Sequence, residues 1–477
     1  MEKITVGEKI AEYIISRFGE EYLRKYEEYI NSDFTPYVRF PARANHSELI
    51  ERLEKYGIKL ERVSGIPYAF RVLEGKENLG KTLEYTIGKY YIQSLSSMIP
   101  PIALAPTRED VTLDLAAAPG SKTTQLSDLM ENRGTLYANE SNLDRIKMLV
   151  HNLDRMNLVN LGVIKHRGEK LSKIFENLFT KVLVDAPCSA LGILQKKNEV
   201  SGWWKLSQAE KLAELQYRLL VSAIKMAKVG AEIVYSTCTL TLEENELVVN
   251  KILKKYPVEL TDIELPIKSV PGFTKYGDEA LNPDLAKTHR IIPWENNSEG
   301  FFVCKFVKIA ETEPMEKTEI AKKGISFVSH NHRSVKKYLE NVSERFDISR
   351  GAFEEFQFLV KKNEIYFLTR DFEVENIDAF LRIGARFGKI DKRDVAHIHT
   401  LAAQILGKKA GKNVVELDTE DVKIYLQGGT VKKSWEPFGQ KIVKYDGNII
   451  GTGIAYADGL KSQFPRALRT HNIVFPK

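Results

Sequence analysis

Cysteine is scarce in this 477-residue chain: there are three, Cys188, Cys238 and Cys304, an odd number with no CxxC spacing. That pattern excludes a disulfide framework and a cysteine-built zinc site, and no metal is expected. Long apolar runs are missing too; none approaches the ~20 residues that a membrane span requires, so no membrane association is expected. The opening "MEKITVGEKIAEYIISRFGEEY" alternates charged and apolar groups at helical spacing and lacks the apolar stretch of a secretory signal. The expectation is a cytoplasmic monomer. Charge of one sign is also in short supply: 70 Lys plus Arg against 64 Asp plus Glu leave +6, which permits a polyanionic partner without requiring one. With 43% hydrophobic and 28% charged residues, the rest is ordinary globular material, long enough for two to four domains.

Four units are predicted. In the first, residues 1–85, helical stretches such as "HSELIERLEKYGIKLERV" mix with apolar runs such as "YAFRVLE", which suits a small α+β RNA-binding domain. The second, 86–310, alternates helical periodicity ("SQAEKLAELQYRLLVSAIKMAKVG") with the strand-like runs "VTLDLAA", "GTLYANE", "LGVIKH", "KVLVDAP", "AEIVYSTC" and "GFFVCKFV". That succession predicts a doubly wound α/β fold whose mostly parallel sheet is covered on both faces. A charged connection, "KIAETEPMEKTEIAKKG", leads into an α+β connecting subdomain at 311–390. The last unit, 391–477, is expected to be β-rich, pairing "EDVKIYLQGG" with "KIVKYDGNIIGTGIAYADG", where Asp446-Gly447 marks a hairpin.

The stretch "LDLAAAPGSKTTQL", Leu113 to Leu126, reads as a buried strand, a turn of small residues and a helix start. In open α/β sheets, ligands bind beyond the carboxyl ends of strands, where the N–H groups of a helix N-terminus are free. Ala116, Ala117 and Ala118 let backbone approach a ligand, Pro119 fixes the chain, and Gly120 allows a positive φ. A phosphate-cradling P-loop fails because Ser121 precedes Lys122 where that motif needs glycine, and GxGxxG is absent. What remains is the looser turn of nucleoside-binding sheets, in which an acidic residue ending the next strand grips ribose hydroxyls. "GTLYANE" supplies it at Glu140.

"KVLVDAPCSALG" ends a strand with Asp185, Pro187 and Cys188, and "EIVYSTCTLTLEEN" ends the next with Ser236, Thr237 and Cys238. Neighbouring parallel strands bring their carboxyl ends together, so both thiols and the carboxylate are expected in one cleft beside the nucleoside. One thiol alone reads as buried and inert; two, beside Asp185 and Lys122, read as chemistry. Carbon 5 of a pyrimidine is a poor nucleophile, but thiolate addition at carbon 6 makes the ring enamine-like and able to accept an electrophilic methyl group. A carboxylic acid at N3 and the exocyclic amine stabilises that adduct, and a nearby Lys⁺ favours the thiolate. A base must then remove the carbon 5 proton. The residues alone leave open which thiol attacks. Cys304, inside "GFFVCKFV", is expected to be a packed strand residue.

"LDLAAAPGSKTTQ", "DAPCSALG" and "YSTCTLTLEENE" resemble, in that order, the motifs of the RNA (cytosine-5) methyltransferases, and the resemblance extends to "GKYYIQSLSSMIPPIAL" and "RIIPWENNSEGFFVCKFV". It implies a Rossmann-like core, S-adenosylmethionine as cofactor, and methylation of a cytidine through a covalent cysteine-RNA intermediate. It also implies that Cys238 is the nucleophile and that Cys188 assists release. Ala116, Ala117, Ala118, Pro119, Gly120, Ser121 and Lys122 would hold the cofactor together with Glu140, and Arg145 would support that site. Asp185 would touch both cofactor and base, and Lys122 would face the reaction centre. One position departs from the family: such enzymes commonly place an aspartate after the third strand for the adenine amine. "GVIKHRGEKL" has Arg167 and Gly168 there, which leaves backbone or Glu169 for the contact.

A cytosine inside a helix hides carbon 6, so the target must be unpaired or flipped out, with RNA gripped outside the cleft by cationic and stacking groups. "GGTVKKSW" offers Lys432, Lys433 and Trp435, and "GLKSQFPRALRTHN" offers Lys461, Arg466 and Arg469 with Phe464 between them. The C-terminal part resembles the PUA-like module of bacterial RsmF-type enzymes. That resemblance implies ribosomal RNA of the 16S kind, or the small ribosomal subunit, as partner. Transfer RNA is the second expectation, and a non-catalytic RNA-binding protein of ribosome assembly the third.

Overall fold

The computed structural model describes residues 4–314, 316–318, 320, 324–470 and 472–476, so part of the expected charged connection lies outside the described residues. The alternating pattern of the central half folds into a doubly wound, Rossmann-like sheet, ten strands among the described residues. Its parallel strands are β1 (Val111–Asp114), β2 (Thr135–Asn139), β3 (Leu161–Ile164), β4 (Phe179–Asp185) and β5 (Ala227–Thr237). They lie in the order β3-β2-β1-β4-β5, and antiparallel β6 (His289–Ile291) and β7 (Phe301–Lys308) continue the sheet beyond β5.

Both faces are covered. Leu136, Ala138, Leu183 and Val234 pack against the helix Leu95–Leu104 and against α1 (Ser121–Leu129) and α2 (Leu143–Arg155). Tyr137, Val182, Val184, Ile233 and Tyr235 alternate onto the other face, against Leu219, Leu220, Ala223 and Ile224 of α3 (Leu206–Met226). Because side chains alternate across a strand, burial on both faces demands the near-continuous apolar runs seen in the sequence. The strand order reverses at β1, whose carboxyl end therefore opens onto a crevice.

The flanking units divide differently from the expected boundaries. Within 1–85, the helices Glu8–Phe18 and Glu20–Ile30 leave the N-terminal sheet and bury Ile10, Ile14 and Tyr26 on Leu191, Leu194, Trp204 and Leu240 of the core. That sheet takes its last strand, Tyr91–Ile92, from beyond residue 85. The 311–390 unit gives Phe380–Ile383 to the core sheet beside β3 and takes Ala396–Ile398 from beyond 390. Such short strands carry no mark of which sheet edge they will join. In the last unit the Asp446-Gly447 hairpin forms between Gly439–Tyr445 and Asn448–Tyr456. "EDVKIYL", however, is not a strand: it lies in the helix Thr419–Leu426, whose start is capped by the Asp418 carboxylate accepting from the N–H groups of Glu420 and Asp421. The cap overrides the β-branched residues that suggested a strand. No described helix is long and apolar enough to cross a membrane.

The N-terminal sheet meets α2 at a glycine. Gly88 has φ +74°, and a Cβ there would stand 1.9 Å from the Arg155 carbonyl oxygen. The Arg155 guanidinium in turn donates to the carbonyls of Tyr85 (2.9 Å) and Tyr90 (3.1 Å). Gly88→Ala is expected to cost on the order of 2 kcal/mol of stability, read as a lower urea midpoint by circular dichroism. An unchanged midpoint would show that this junction carries no strain.

Candidate active site

Between β1 and α1 the chain turns through Leu115–Gly120, and neighbouring elements hold that turn by its polar atoms. The Ala117 N–H donates to the Asn139 carbonyl (2.8 Å), and the Asn139 amide to the Leu115 carbonyl (3.0 Å). From α2, Arg145 donates to the Ala118 carbonyl (2.5 Å) and Asn152 to that of Pro119 (2.9 Å). Gly120 has φ +108°, and an added Cβ would lie 3.0 Å from Leu149, so only glycine lets the turn lie this close to α2. α1 starts with no side-chain cap, which leaves its first N–H groups without intrahelical partners.

Glu140, 4% exposed, follows β2. One carboxylate oxygen accepts from the Asn142 N–H (2.9 Å); the other, 3.1 Å from an Arg145 nitrogen, lacks a hydrogen bond. Asp114 Oδ1 and Asn139 Oδ1 are likewise buried without a partner among the described residues. Burial pushes the Asp114 carboxyl up to about 7; Asp185 adds to this, while the Thr123 hydroxyl and Lys122 oppose it. Orphaned buried acceptors around a turn of alanines fit a nucleoside-bearing ligand with hydroxyl and ammonium donors. The departure after β3 also has a physical reason. A Cβ on Gly168 would come 2.6 Å from a terminal methyl of Leu219 on α3 and 3.3 Å from Leu115, so a larger residue there would have to displace those side chains. Glu169 is already bound by Arg167 at 2.6 Å.

At the end of β4, Asp185 Oδ2 lies 2.8 Å from Lys122 Nζ, and its Oδ1 accepts from the Ser236 hydroxyl on β5 (2.8 Å). Lys122 also donates to Ser97 Oγ (2.9 Å) and lies 5.1 Å over the Phe301 ring. Burial disfavours its charge, but the Asp185 carboxylate, and next the Cys238 sulfur, hold its pKa above the usual lysine value. The two thiols face each other, Cys188 Sγ 2.9 Å from Cys238 Sγ, and the Cys238 N–H points to Cys188 Sγ at 3.3 Å. Contact with Cys238, reinforced by burial, raises the Cys188 pKa well above that of an ordinary thiol. Cys304 is fully buried in β7 opposite Tyr235, away from this group.

The run Glu243–Glu246 assembles the thiol loops, and the sequence reading quoted it without assigning it a part. Glu244 is buried and accepts from the Ser189 N–H (2.8 Å) and hydroxyl (2.5 Å), the Thr241 hydroxyl (2.8 Å) and the Gln216 amide (2.9 Å). Gln216 also donates to the Pro187 carbonyl (2.9 Å), so one carboxylate joins α3 to both cysteine loops. Asn245 holds Thr237 (2.6 Å) and the Thr239 carbonyl (3.1 Å). Glu243 accepts from Tyr13 of the N-terminal helix (2.6 Å) and from Tyr276 (2.8 Å), and Glu246 forms a buried ion pair with Arg290.

In the C-terminal unit, Lys432, Lys461, Arg466 and Arg469 are exposed. Lys433 is taken up by Asp418 and Asp421. Phe464 is 1% exposed and packs in the module's core, so it offers no face to a base. The exposed rings there are Phe438, 55% exposed, and Tyr456, 50% exposed, neither of which lies within a basic run.

A nucleoside turn at the switch point of a doubly wound sheet, with two facing thiols and a Lys–Asp pair beyond it, defines the methyltransferase class. Residues 101–307 match the family described as 16S rRNA methyltransferase RsmB/F, and 412–470 match the RsmF PUA domain. The chain is 31% identical over 438 residues to ribosomal RNA small subunit methyltransferase F of Aeromonas salmonicida, covering 90% of this chain and 89% of that one. It is 33% identical over 305 residues to tRNA (cytosine(49)-C(5))-methyltransferase of Pyrococcus abyssi, covering 63% and 97%. A crystal structure of a methyltransferase homologue from Pyrococcus horikoshii superimposes with a TM-score of 0.56 at 29% identity, covering 63% of this chain and 94% of that one. The chain belongs to the RsmB/F family of RNA methyltransferases.

Glu244→Gln turns an amide N–H₂ toward a pocket that already holds four donors. It is expected to cost about 1–3 kcal/mol of stability and to speed alkylation of Cys188 by iodoacetamide as its loop loosens. Wild-type melting together with wild-type alkylation would show that the carboxylate is dispensable.

Proposed function

We propose that this protein methylates carbon 5 of a cytidine in 16S ribosomal RNA, with S-adenosylmethionine as the methyl donor and Cys238 as the attacking group. The observation that carries this reading is the pair of sulfurs 2.9 Å apart beside the Lys122–Asp185 ion pair. The Ala116–Lys122 turn, Glu140 and Arg145 would hold S-adenosylmethionine, with the α1 N–H groups and the Glu140 carboxylate, paired with Arg145 but with one oxygen lacking a hydrogen bond, meeting its polar atoms. When bound, that cofactor supplies an electrophilic methyl group.

The protein's own residues handle the ring. The Cys238 sulfur, as the thiolate, bonds to carbon 6 while the displaced electron pair runs through carbon 4 to N3. Asp185 accepts a hydrogen bond from the exocyclic amine and relays to N3 a proton drawn from Lys122, 2.8 Å behind it; the same path takes that proton back when the carbon 4–N3 double bond re-forms. Carbon 5, now enamine-like, takes the methyl group. Cys188, its own proton given up to water, then accepts the carbon 5 proton as the thiolate; the C–H pair closes the C5–C6 double bond, and the Cys238 sulfur leaves with its bonding pair. The contact with the Cys238 sulfur that raises the Cys188 pKa is relieved once that sulfur is bonded to carbon 6. Ribosomal RNA is favoured over transfer RNA because the small-subunit relative aligns with 90% of this chain, whereas the transfer-RNA relative aligns with 63% of it while being itself 97% covered. Lys432, Lys461, Arg466 and Arg469, exposed within the residues that match the RsmF PUA domain, would meet the RNA backbone.

The test is transfer of labelled methyl groups to small ribosomal subunits, deproteinised 16S RNA and transfer RNA, with the cytidine mapped by bisulfite sequencing. Cys238→Ala is expected to reduce transfer to background, and Cys188→Ala to accumulate a denaturation-resistant protein-RNA adduct. An inactive Cys188→Ala protein without adduct would reverse the two roles, and label confined to transfer RNA would replace the substrate while keeping the reaction.

A further inference from the structure

A second cleft, about 620 Å³, opens beside the thiol loops, between the N-terminal helices and the edge of the sheet at β6. Its walls are mainly aromatic. Phe18 stacks on Tyr22 at 4.7 Å, Phe273 lies 5.8 Å from Phe18, and Trp294 meets Tyr22 edge-on at 4.7 Å. Arg290 lies 5.6 Å over the Phe18 ring and 5.0 Å over that of Phe273. Phe273 is 37% exposed, so one of its faces is open.

The cleft is tied to the reaction centre. Arg290 donates to the carbonyl of Leu240, two residues beyond Cys238 (2.8 Å). The Cys238 carbonyl accepts from Gly192, whose own carbonyl accepts from Gly300 (2.9 Å each), and Gly300 packs on Pro293, next to Trp294. Of the cations in the lining, Arg290 is paired with Glu246 and Arg17 lies 3.6 Å from Glu243, so Lys268 at the rim is the one turned to solvent. The Lys268–Glu295 contact, at 3.5 Å between exposed side chains, is of the kind that holds weakly in water. The Tyr22 hydroxyl and the Trp294 indole N–H have no partner among the described residues.

We propose that this cleft receives an unpaired RNA base flanking the target cytidine, stacked on Phe273 and Trp294 with Lys268 at its phosphate. The inference rests on the RNA reading of the active site. Aromatic faces take any base by stacking, and a cation at the rim meets the backbone; the two free donors suit acceptors on a base edge. An apolar peptide would leave both donors and Lys268 unused.

The probe is a fluorescein-labelled single-stranded RNA decamer with one central cytidine, titrated by anisotropy against the full chain, with its duplex as control. Phe273→Ala is expected to weaken single-strand binding about 5- to 150-fold, the worth of one stacked base, with duplex binding unchanged and Phe273→Trp restoring affinity. The half-exposed position keeps folding out of the readout, which an unchanged melting curve checks. With 5-bromouridine beside the cytidine, ultraviolet crosslinks are expected on peptides containing Phe273 or Trp294. Binding within twofold of wild type with no crosslink, or equal loss on the duplex, would overturn the proposal, as would occupancy by a protein segment that leaves RNA binding unchanged. Failure of wild-type methyl transfer with these binding results intact would instead overturn the reaction.

Discussion

Lys122 is almost wholly enclosed, and an unpaired ammonium in that position would cost several kcal/mol. Asp185 at 2.8 Å removes that penalty, and the pair thereby dictates how its neighbours sit. Lys122 lies in the first turn of α1, so its reach sets where the nucleoside turn meets β4. Ser236 on β5 and Ser97 on the helix Leu95–Leu104 take up the remaining hydrogen bonds. One ion pair thus links two strands' ends and two helices, and it leaves a positive charge next to a sulfur. A structural need, compensating a buried charge, and a chemical need, favouring a thiolate, are met by the same contact.

The second constraint is the Glu243–Glu246 run. Each of its four residues points at a different element: Glu243 at the N-terminal helix, Glu244 at the Cys188 loop and α3, Asn245 back at its own strand end, Glu246 at β6. Carboxylates buried in such places are tolerated only when every oxygen is met by donors, and Glu244, with four, is the strictest case. The two thiols come from segments fifty residues apart, and their 2.9 Å separation depends on this shared acceptor.

Much of this was legible in the residues. Strand ends in a parallel sheet converge, so Asp185, Cys188 and Cys238 could be placed together before any coordinates, and the small-residue turn with Glu140 pointed to a nucleoside. Cys304 was separable by the same logic, lying within a strand instead of at its end. What could not be read were partners that depend on tertiary approach. Ser97 reaches Lys122 from twenty-five positions away, and nothing local marks it. Gly168 stands where an adenine ligand was sought, and the neighbour that a side chain there would meet first, Leu219, is fifty-one residues on. In the C-terminal unit, basic and aromatic letters in one run suggested a stacking surface, but Phe464, just past the strand Gly459–Ser462, packs into the module's core. The boundaries at 85 and 390 failed for a related reason: two- to four-residue strands are recruited by whichever sheet edge is open.

The N-terminal helices show why the central motifs alone are an incomplete description of the site. Tyr13 bonds both the Glu243 carboxylate and the Leu242 N–H, and Tyr26 donates to the Leu191 carbonyl. Two tyrosines from the first thirty residues therefore brace the segments that carry Cys238 and Cys188. The same helices bring Phe18 and Tyr22 to the aromatic cleft. A change in how this arm docks would act on the thiol loops and on the cleft together, because Glu243, Tyr13 and Arg17 belong to one hydrogen-bonded group spanning both. The arm is thus part of the catalytic unit in mechanical terms, although no residue of it belongs to the motifs that identify the chemistry.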